Sequence, residues 1–283
     1  MKGNLTLKAL TDPNKVLNDL VITSRINTDE LDQKHAVAAD DQPTMSRAPM
    51  FDAILRSRRS AHAFTNRPVD ECTMEAILHA ATLAPSSFNL QPYEFYWVRT
   101  PEHRGRLANL CLGQRPAVTA QELVVCVARW DHWRATSIEY MTWLKSHPGV
   151  TRKTVAYHAR EHQLLPMMFA TGPFNVLGRL RALMVAAIGL TRPILRVPAS
   201  PDELTTWATK SAALACQNLI LAARAHDLDT CPLEGFDRVR VGKLLGLKGR
   251  WSIPMIIAIG YRDKSGIYEP QWRRAPEQLI HVV

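Results

Sequence analysis

The sequence lacks several features that would assign it to a common class of protein. Its five cysteines form no Cys-x-x-Cys pair and no spacing typical of a metal site, which favours buried thiols in a reducing compartment. It has no basic stripe interleaved with aromatic residues, so we expect no nucleic-acid partner. The first residues contain no apolar core of a secretion signal, and we therefore expect a cytoplasmic protein.

Long apolar runs are also scarce. The run 182–190 has only nine residues, well short of the roughly 20 that span a bilayer. The composition that remains, 46% hydrophobic and 22% charged, is typical of a globular protein. A formal net charge of +9 favours anionic partners, such as a phosphorylated cofactor, a pyridine dinucleotide or an acidic membrane surface.

A polar loop between two prolines is the first candidate site. Residues 74–83 carry apolar side chains at helical spacing, and residues 93–98 are aromatic and β-branched, which is typical of a strand. Pro85 and Pro92 bound the loop between them. Its hydroxyl and amide side chains could bind a flat, heteroatom-rich ligand, or the loop could be an ordinary connection from helix to strand.

Four segments, in order, resemble the flavin-dependent nitroreductase family. The first is Arg-Arg-Ser-x-His-x-Phe at 58–64, and the second is Ala-Pro-Ser-Ser-x-Asn-x-Gln-Pro at 84–92. The third resembles the Pro-x-Glu-Gly loop of the family, at 232–235. The fourth, at 272–277, resembles its C-terminal basic segment. The resemblance leaves the N-terminal residues and the middle of the chain unexplained.

The resemblance implies a bound FMN, with NADH or NADPH as the electron donor. Guanidinium groups suit the phosphate because their donors form a planar fork, and an amide side chain offers both donor and acceptor to the flavin pyrimidine. Of the two late arginines, Arg274 matches the family better than Arg273. The expected cofactor-binding residues are Arg58, Arg59, Ser60, His62, Pro85, Ser86, Ser87, Asn89, Pro232, Leu233, Glu234, Gly235, Arg273 and Arg274. No catalytic side chain is assigned, because hydride transfer to the flavin requires no acid–base residue.

His62 departs from the family pattern, which usually has arginine or lysine at this position. A fixed cation there would stabilise the reduced flavin, whereas a histidine supplies the charge only when protonated, near a pKa of about 6.5. We therefore expect a flavin potential that depends more strongly on pH than usual. The alternative is a neutral histidine that donates one hydrogen bond.

The rest of the chain predicts two additions to the central domain, one at its N-terminus and one inserted within it. Residues 1–47 are expected to form an N-terminal extension or arm, and residues 48–283 the FMN domain, with a hydrophobic lid or insertion at about 131–201. Within that insertion, the sequence His-x-x-Glu-His at 158–162 resembles part of a zinc motif, but a third ligand is not evident. We expect no metal site.

The most apolar part of the chain is 164–197, and two interpretations of it compete. It could form a lid over the flavin, or an amphipathic segment in peripheral contact with an anionic membrane; plain core is the third possibility. Lid and membrane segment both imply an apolar substrate. The arginines around the apolar run are Arg179, Arg181, Arg192 and Arg196.

We expect an α+β fold with a four- or five-stranded, mostly antiparallel sheet flanked by helices. Residues 207–225 are apolar nearly all round, which predicts a buried helix. In the family the matching helix is the core of an intertwined homodimer, so we expect a homodimer with two flavins at its interface. The expected activity is NAD(P)H-driven reduction of an apolar or aromatic acceptor of the nitro, quinone or enone type. An oxidative dehydrogenase that uses O₂ and a membrane-associated flavin-binding module are the alternatives.

Overall fold

The computed structural model describes residues 47–283. The arm predicted for the N-terminus falls outside these residues, apart from its last position. Two compact units divide the chain: the larger contains 47–166 and 202–283, and the smaller includes 167–201. Of the insertion predicted at about 131–201, only the second half belongs to the smaller unit. The function of this insertion as a lid stays a prediction.

The larger unit is built on one antiparallel sheet. Its strands are β1 (Tyr93–Val98), β2 (Glu122–Arg129), β3 (Asp229–Leu233) and β4 (Trp251–Gly260). The strand order is β1-β2-β4-β3, and every neighbouring pair is antiparallel. The predicted α+β class with a four- or five-stranded sheet is confirmed.

The two inner strands carry the core. Residues 123–128 of β2 are all fully buried, and β4 contributes the equally buried Ile256, Ile257 and Ile259. A continuous β-branched run of this kind is typical of a strand covered on both faces. The sequence predicts strands at 93–98, 122–128 and 251–259, and the structure has β1, β2 and β4 at these positions.

The edge strand β3 corrects the sequence interpretation, in which 232–235 resemble a loop of the family. Asp229–Leu233 pairs with β4 in register, with Thr230 opposite Ile259. Proline donates no backbone hydrogen bond, which disfavours it in a central strand. An edge strand tolerates proline, since one of its sides has no neighbouring strand to receive that bond. Only Glu234 and Gly235 of the predicted loop follow the strand.

Helices fill the connections between the strands. The sequence offers Asp70 and Thr73 as candidate N-caps of the helix α2 (Glu71–Thr82). The structure has Asp70 as the cap, where its side chain accepts a hydrogen bond from the Thr73 N–H (3.0 Å). The helices are α1 (Arg47–Ser57), α2 (Glu71–Thr82), α3 (Pro101–Leu110), α4 (Arg115–Thr119), α5 (Trp133–Ser146), α6 (Arg152–Phe169), α7 (Val176–Gly189), α8 (Pro201–Ala225) and α9 (Arg238–Leu244).

The long helix α8 is buried on most sides, as predicted. Ten of its residues are buried, among them Leu204, Ala212 and Leu219. Four of the five cysteines are also buried, one of them Cys216 on this helix. The expectation of buried thiols is wrong only for Cys72, which is exposed at the start of α2.

A short extended segment after α1 runs beside the free edge of β3. The Ala61 N–H donates to the Thr230 carbonyl (3.0 Å), and Ser60 forms a parallel bridge with Thr230. On its other side the His62 N–H donates to the Gly266 carbonyl (2.8 Å). The segment therefore covers an otherwise unpaired strand edge and fixes the first motif between β3 and the chain that follows β4.

Within residues 47–283, no helix is long and apolar enough to cross a membrane.

Candidate functional site

Three arginines from opposite ends of the domain lie together. Arg58 follows α1, next to Arg59, and Arg273 comes from the C-terminal segment. Burial lowers the pKa of Arg58, and the nearby charges of Arg273 and Arg59 lower it further. The Arg59 Nη2 donates to the Glu269 carbonyl (2.5 Å), which ties the first motif to the C-terminal segment. In the described part of the chain, no carboxylate forms an ion pair with any of the three.

This arrangement is unfavourable without an anion. Like charges repel, and partial desolvation strengthens the repulsion because less water screens it. A phosphate would accept hydrogen bonds from several guanidinium groups at once and would neutralise the cluster. The arginine cluster, defined as Arg58, Arg59 and Arg273, thus has the properties of an anion site.

Among the described residues, no interaction links Arg274 to the arginine cluster. Its Nε donates to the side chain of Gln278 (3.3 Å), and the residue is exposed. The sequence favoured Arg274 over Arg273 as the match to the family, but Arg273 is the late arginine that affects the pKa of Arg58. A basic pair at 273–274 predicts a phosphate contact without deciding which guanidinium makes it.

His62 stacks on an aromatic ring that is itself held by a cation. The rings of His62 and Tyr268 lie 4.7 Å apart and nearly parallel, at 10°. Arg115 donates to the Tyr268 hydroxyl (3.4 Å) and to Ser265 Oγ (2.6 Å). The sequence analysis missed Arg115, which lies at the start of α4 outside every motif. The structure therefore places a permanently charged group behind the position where the family usually has one.

Gly235 is covered by an amide side chain. Gln114 Nε2 donates to the Gly235 carbonyl and to the Cys111 carbonyl, the latter at 3.0 Å. A Cβ on Gly235 would lie 2.9 Å from that nitrogen, so a larger residue would displace Gln114. The neighbouring Leu233 side chain is buried in the core, which leaves only its main chain to face a ligand. Gln114 is a second residue that no motif pointed to.

The loop between α2 and β1 has an unusual backbone. Phe88, Asn89 and Gln91 all have positive φ, a conformation that costs non-glycine residues energy and that is found preferentially at functional sites. Side chains hold it: Ser86 Oγ accepts from the Gln91 N–H (2.9 Å), and Gln91 Nε2 donates to Asn89 Oδ1 (3.1 Å). Of the remaining predicted residues here, Pro85 and Ser87 are exposed.

A buried histidine lies beside this loop. His162 on α6 is 8% exposed, its Nδ1 contacts Ser137 Oγ (2.6 Å), and its Nε2 has no hydrogen-bond partner in the described residues. Burial lowers its pKa most, and the charge of His158 lowers it too, whereas Glu161 and the main chain of Phe88 raise it. His162 is therefore a neutral group near pH 7 that faces the Phe88 turn.

The His-x-x-Glu-His motif forms an ordinary polar network. Glu161 accepts a hydrogen bond from the Tyr157 hydroxyl (3.0 Å) and pairs with His158 Nδ1 (3.2 Å). Within residues 47–283, no group of three or more histidines, cysteines or carboxylates could hold a metal ion.

The predicted site residues thus fall into two groups. The first surrounds the arginine cluster, with Ser60, His62 and Gly235 on neighbouring segments. The second is the loop 85–91. No hydrogen bond, ion pair or ring contact among the described residues joins the two groups. A cavity of about 390 Å³ adjoins the second group and is lined by Leu78, His79, Thr82, Gln91, Tyr93, Glu94 and Phe95.

The chain is similar to several known proteins. The chain matches the pattern of the nitroreductase family over residues 55–261. It is 28% identical to an NADH dehydrogenase of Thermus thermophilus over 234 residues, which cover 82% of this chain and 96% of that protein. A nitroreductase family protein of Streptococcus pneumoniae has the same fold, with a TM-score of 0.60, 21% identity, and coverage of 82% of this chain and 100% of that one.

A third similar protein is the NADPH:FMN oxidoreductase of Vibrio harveyi, whose structure contains NAD⁺. The TM-score is 0.55 at 20% identity, over 82% of this chain and 76% of that one. The fold and the matched segments define an α+β oxidoreductase. The chain belongs to the nitroreductase family.

Proposed function

We propose that the protein binds FMN and uses NADH or NADPH to reduce an apolar or aromatic acceptor of the nitro, quinone or enone type. The observation that carries this proposal is the arginine cluster, three guanidinium groups that no carboxylate of the described chain neutralises. FMN has one phosphate, and related proteins are named for NADH, NADPH and FMN. When bound, the flavin would accept hydride from the nicotinamide and pass two electrons to the second substrate.

The residues present fit such a cofactor. Arg58, Arg59 and Arg273 would hold its phosphate through charge-assisted hydrogen bonds. The absence of a Cβ at Gly235 leaves room for the Gln114 amide, which holds the main chain of this segment beside the proposed ring site. Thr230, beneath Ser60, has a buried hydroxyl without a hydrogen-bond partner in the described residues, as expected beside a site that a ligand completes.

The proposed acceptor is apolar because of the composition of residues 164–197. This stretch contains four arginines and no acidic residue, with long apolar side chains between them. A lid and a membrane-contacting segment of this composition both favour an apolar acceptor, which gains free energy by leaving water.

We further propose that the active form is a homodimer in which each flavin site combines residues of both subunits. Among the described residues no direct contact joins the two groups of predicted site residues, although the family resemblance assigns both to the same cofactor. A second subunit would supply the loop 85–91 to the arginine cluster of the first. A cofactor site built in this way would be incomplete in the monomer.

An anaerobic absorbance titration tests the cofactor and the direction of the reaction. The purified protein, with FMN added, is titrated first with NADPH and then with NADH. Bleaching of the oxidised flavin band within seconds supports the reductase. A bound flavin that stays oxidised would instead favour an oxidative enzyme or a non-catalytic flavin protein, and no binding of FMN would contradict the site assignment.

Replacing Arg58 tests the arginine cluster. Hydrogen bonds to charged groups contribute about 1.5–3 kcal/mol, so Arg58→Ala should weaken FMN binding by roughly 10- to 100-fold. Arg56→Ala is the matched control, because Arg56 lies two residues earlier and pairs with the exposed Asp52 (2.6 Å). The measurement is quenching of FMN fluorescence on binding. Equal affinity of the two variants would remove Arg58 from the site.

Mixed dimers test whether the site is shared. Arg58→Ala and Asn89→Ala are expected to impair each homodimer. A dimer with one subunit of each kind would contain one site with both defects and one site with none. If the site is shared, the purified mixed dimer should regain one of its two sites, and with it about half of the wild-type FMN binding and turnover. If all site residues come from one chain, every site keeps one defect and nothing recovers.

A further inference from the structure

Helix α7 exposes most of its apolar surface. Only Gly178, Arg181 and Val185 of this helix are buried. Leu180 is 59% exposed and Leu183 is 70% exposed. Arg179 is the only polar side chain of α7 outside its buried face. The apolar patch comprises Phe174, Leu177, Leu180, Leu183, Met184 and Leu190. An exposed apolar surface of this kind is typical of a contact site.

The helix is fixed in this orientation by a buried polar anchor. Arg181 Nη1 donates to the carbonyls of Met167 (2.5 Å) and Ala170 (2.9 Å), and Nη2 donates to the carbonyl of Pro198 (2.6 Å). Asn175 Nδ2 donates to the Ala199 carbonyl (3.0 Å). Both ends of the segment 167–201 are thereby tied to the inner side of α7. The apolar patch is therefore the exposed surface of a folded segment.

The charged side chains of the segment that carries the patch all have one sign. Between Glu161 and Asp202 the sequence has four arginines and neither a lysine nor an acidic residue. Arg179 and Arg196 are exposed, and Arg196 reaches the last turn of α7 at Gly189. Helices with a large apolar surface and flanking cations lie in the interface of anionic membranes, where the cations meet lipid headgroups.

A second copy of the chain is a poorer occupant of this surface. Pairing two such patches would bring the arginines of both copies together, and the segment contains no carboxylate to compensate them. A bilayer with anionic lipids offers phosphates to the arginines and an apolar interior to the other side chains of the patch. We propose that the apolar patch inserts into the headgroup region of an anionic membrane, with Arg179, Arg192 and Arg196 on the lipid phosphates. The proposal does not depend on the flavin chemistry.

Co-sedimentation of the full-length protein with vesicles tests this proposal. Wild-type protein should bind vesicles of phosphatidylcholine mixed with phosphatidylglycerol, and binding should weaken as salt increases. Vesicles of phosphatidylcholine alone should bind it at least about tenfold more weakly. Wild-type protein that stays in solution with both vesicles, or that binds both equally, would overturn the proposal.

Two variants locate the contact. L180D/L183D places charges in the patch and should reduce vesicle binding at least about tenfold, because a carboxylate opposes both insertion and the headgroup charge. Val239→Asp is the matched control on α9, since Val239 is also a half-exposed apolar side chain (59%) outside the patch. Thermal unfolding of both variants checks that the exposed substitutions leave the fold intact.

The remaining outcomes are also decisive. Unchanged binding of L180D/L183D would show that the patch is not the contact and would overturn the proposal. If the double substitution instead changes the oligomeric state in sedimentation velocity, and wild-type protein ignores vesicles, the patch is a subunit interface. Because no electron donor is present in this assay, its result is independent of whether the protein reduces any acceptor.

Discussion

Helices α7 and α8 are both rich in alanine and leucine, but their surroundings differ completely. α8 buries ten residues, whereas α7 buries three. Leu219 on α8 is fully buried, and Leu183 on α7 is 70% exposed. Apolar composition therefore predicts that a segment becomes a helix, but the neighbouring elements decide whether its side chains leave water.

The two helices are also held by different interactions. The inner side of α8 consists largely of small and aliphatic residues that pack closely against the sheet, as where Cys216 meets Cys126 of β2. The inner side of α7 instead depends on Arg181, which donates hydrogen bonds to three backbone carbonyls. Truncating an apolar side chain should therefore destabilise the protein at α8 but hardly at α7. On α7 the truncation that matters should be that of the polar residue Arg181.

The largest expected effect is that of Leu219→Ala. Removing a fully buried leucine leaves a cavity, and the free energy of unfolding should fall by about 2–5 kcal/mol. The matched change Leu183→Ala on α7 removes an exposed side chain and should alter it by less than about 0.5 kcal/mol. Urea denaturation at one fixed FMN concentration measures both. Similar losses for the two variants would show that α7 is covered.

A smaller and local effect is expected of Arg181→Met. Methionine keeps much of the volume but leaves three carbonyls without their donor, so the opening free energy of residues 167–201 should fall by about 1.5–3 kcal/mol. Hydrogen exchange measured by mass spectrometry should become roughly 10- to 100-fold faster in peptides of α7 and stay unchanged in peptides of α8. Arg179→Met, at the exposed neighbouring position, is the control. Uniform acceleration across both helices would mean that Arg181 stabilises the whole fold.

Much of the fold could be predicted because local signals and packing agree. The β-branched runs of β2 and β4 and the Asp70 cap of α2 each have a direct physical reason, and the structure contains all three. β3 was missed because its segment was interpreted by its resemblance to the Pro-x-Glu-Gly loop of the family. Only the position of β3 at the sheet edge, a long-range property, makes proline acceptable there.

Sequence motifs name only part of the candidate site, and the assignment of its residues stays a prediction. Arg58 and Gly235 belong to such motifs, and each occupies a position that suits a ligand. Gln114 and Arg115 were not predictable, because their importance comes from contacts with Gly235 and Tyr268, more than 100 residues away in the chain. The choice of Arg273 over Arg274 likewise depends on the path of the C-terminal segment, which no local pattern determines.

The smallest change in stability, with a clear chemical signal, is expected of Leu183→Cys. In the wild-type protein only Cys72 is exposed, and its thiol should react quickly with Ellman's reagent. Burial raises the pKa of Cys111 and of Cys231 to about 11, and hydrogen bonding to Cys216 together with burial raises the pKa of Cys126. These thiols form little of the reactive thiolate near neutral pH.

Leu183→Cys should therefore add a second fast thiol, while Cys216 on α8 should react only after unfolding in denaturant. In a Cys72→Ser background the new thiol on α7 should be the only fast one, which separates the two contributions. Anionic vesicles should then slow its reaction, because insertion of the apolar patch would shield residue 183 from the reagent. A thiol at 183 that stays unreactive without vesicles would show that the surface is already covered, and the contrast between α7 and α8 would fail.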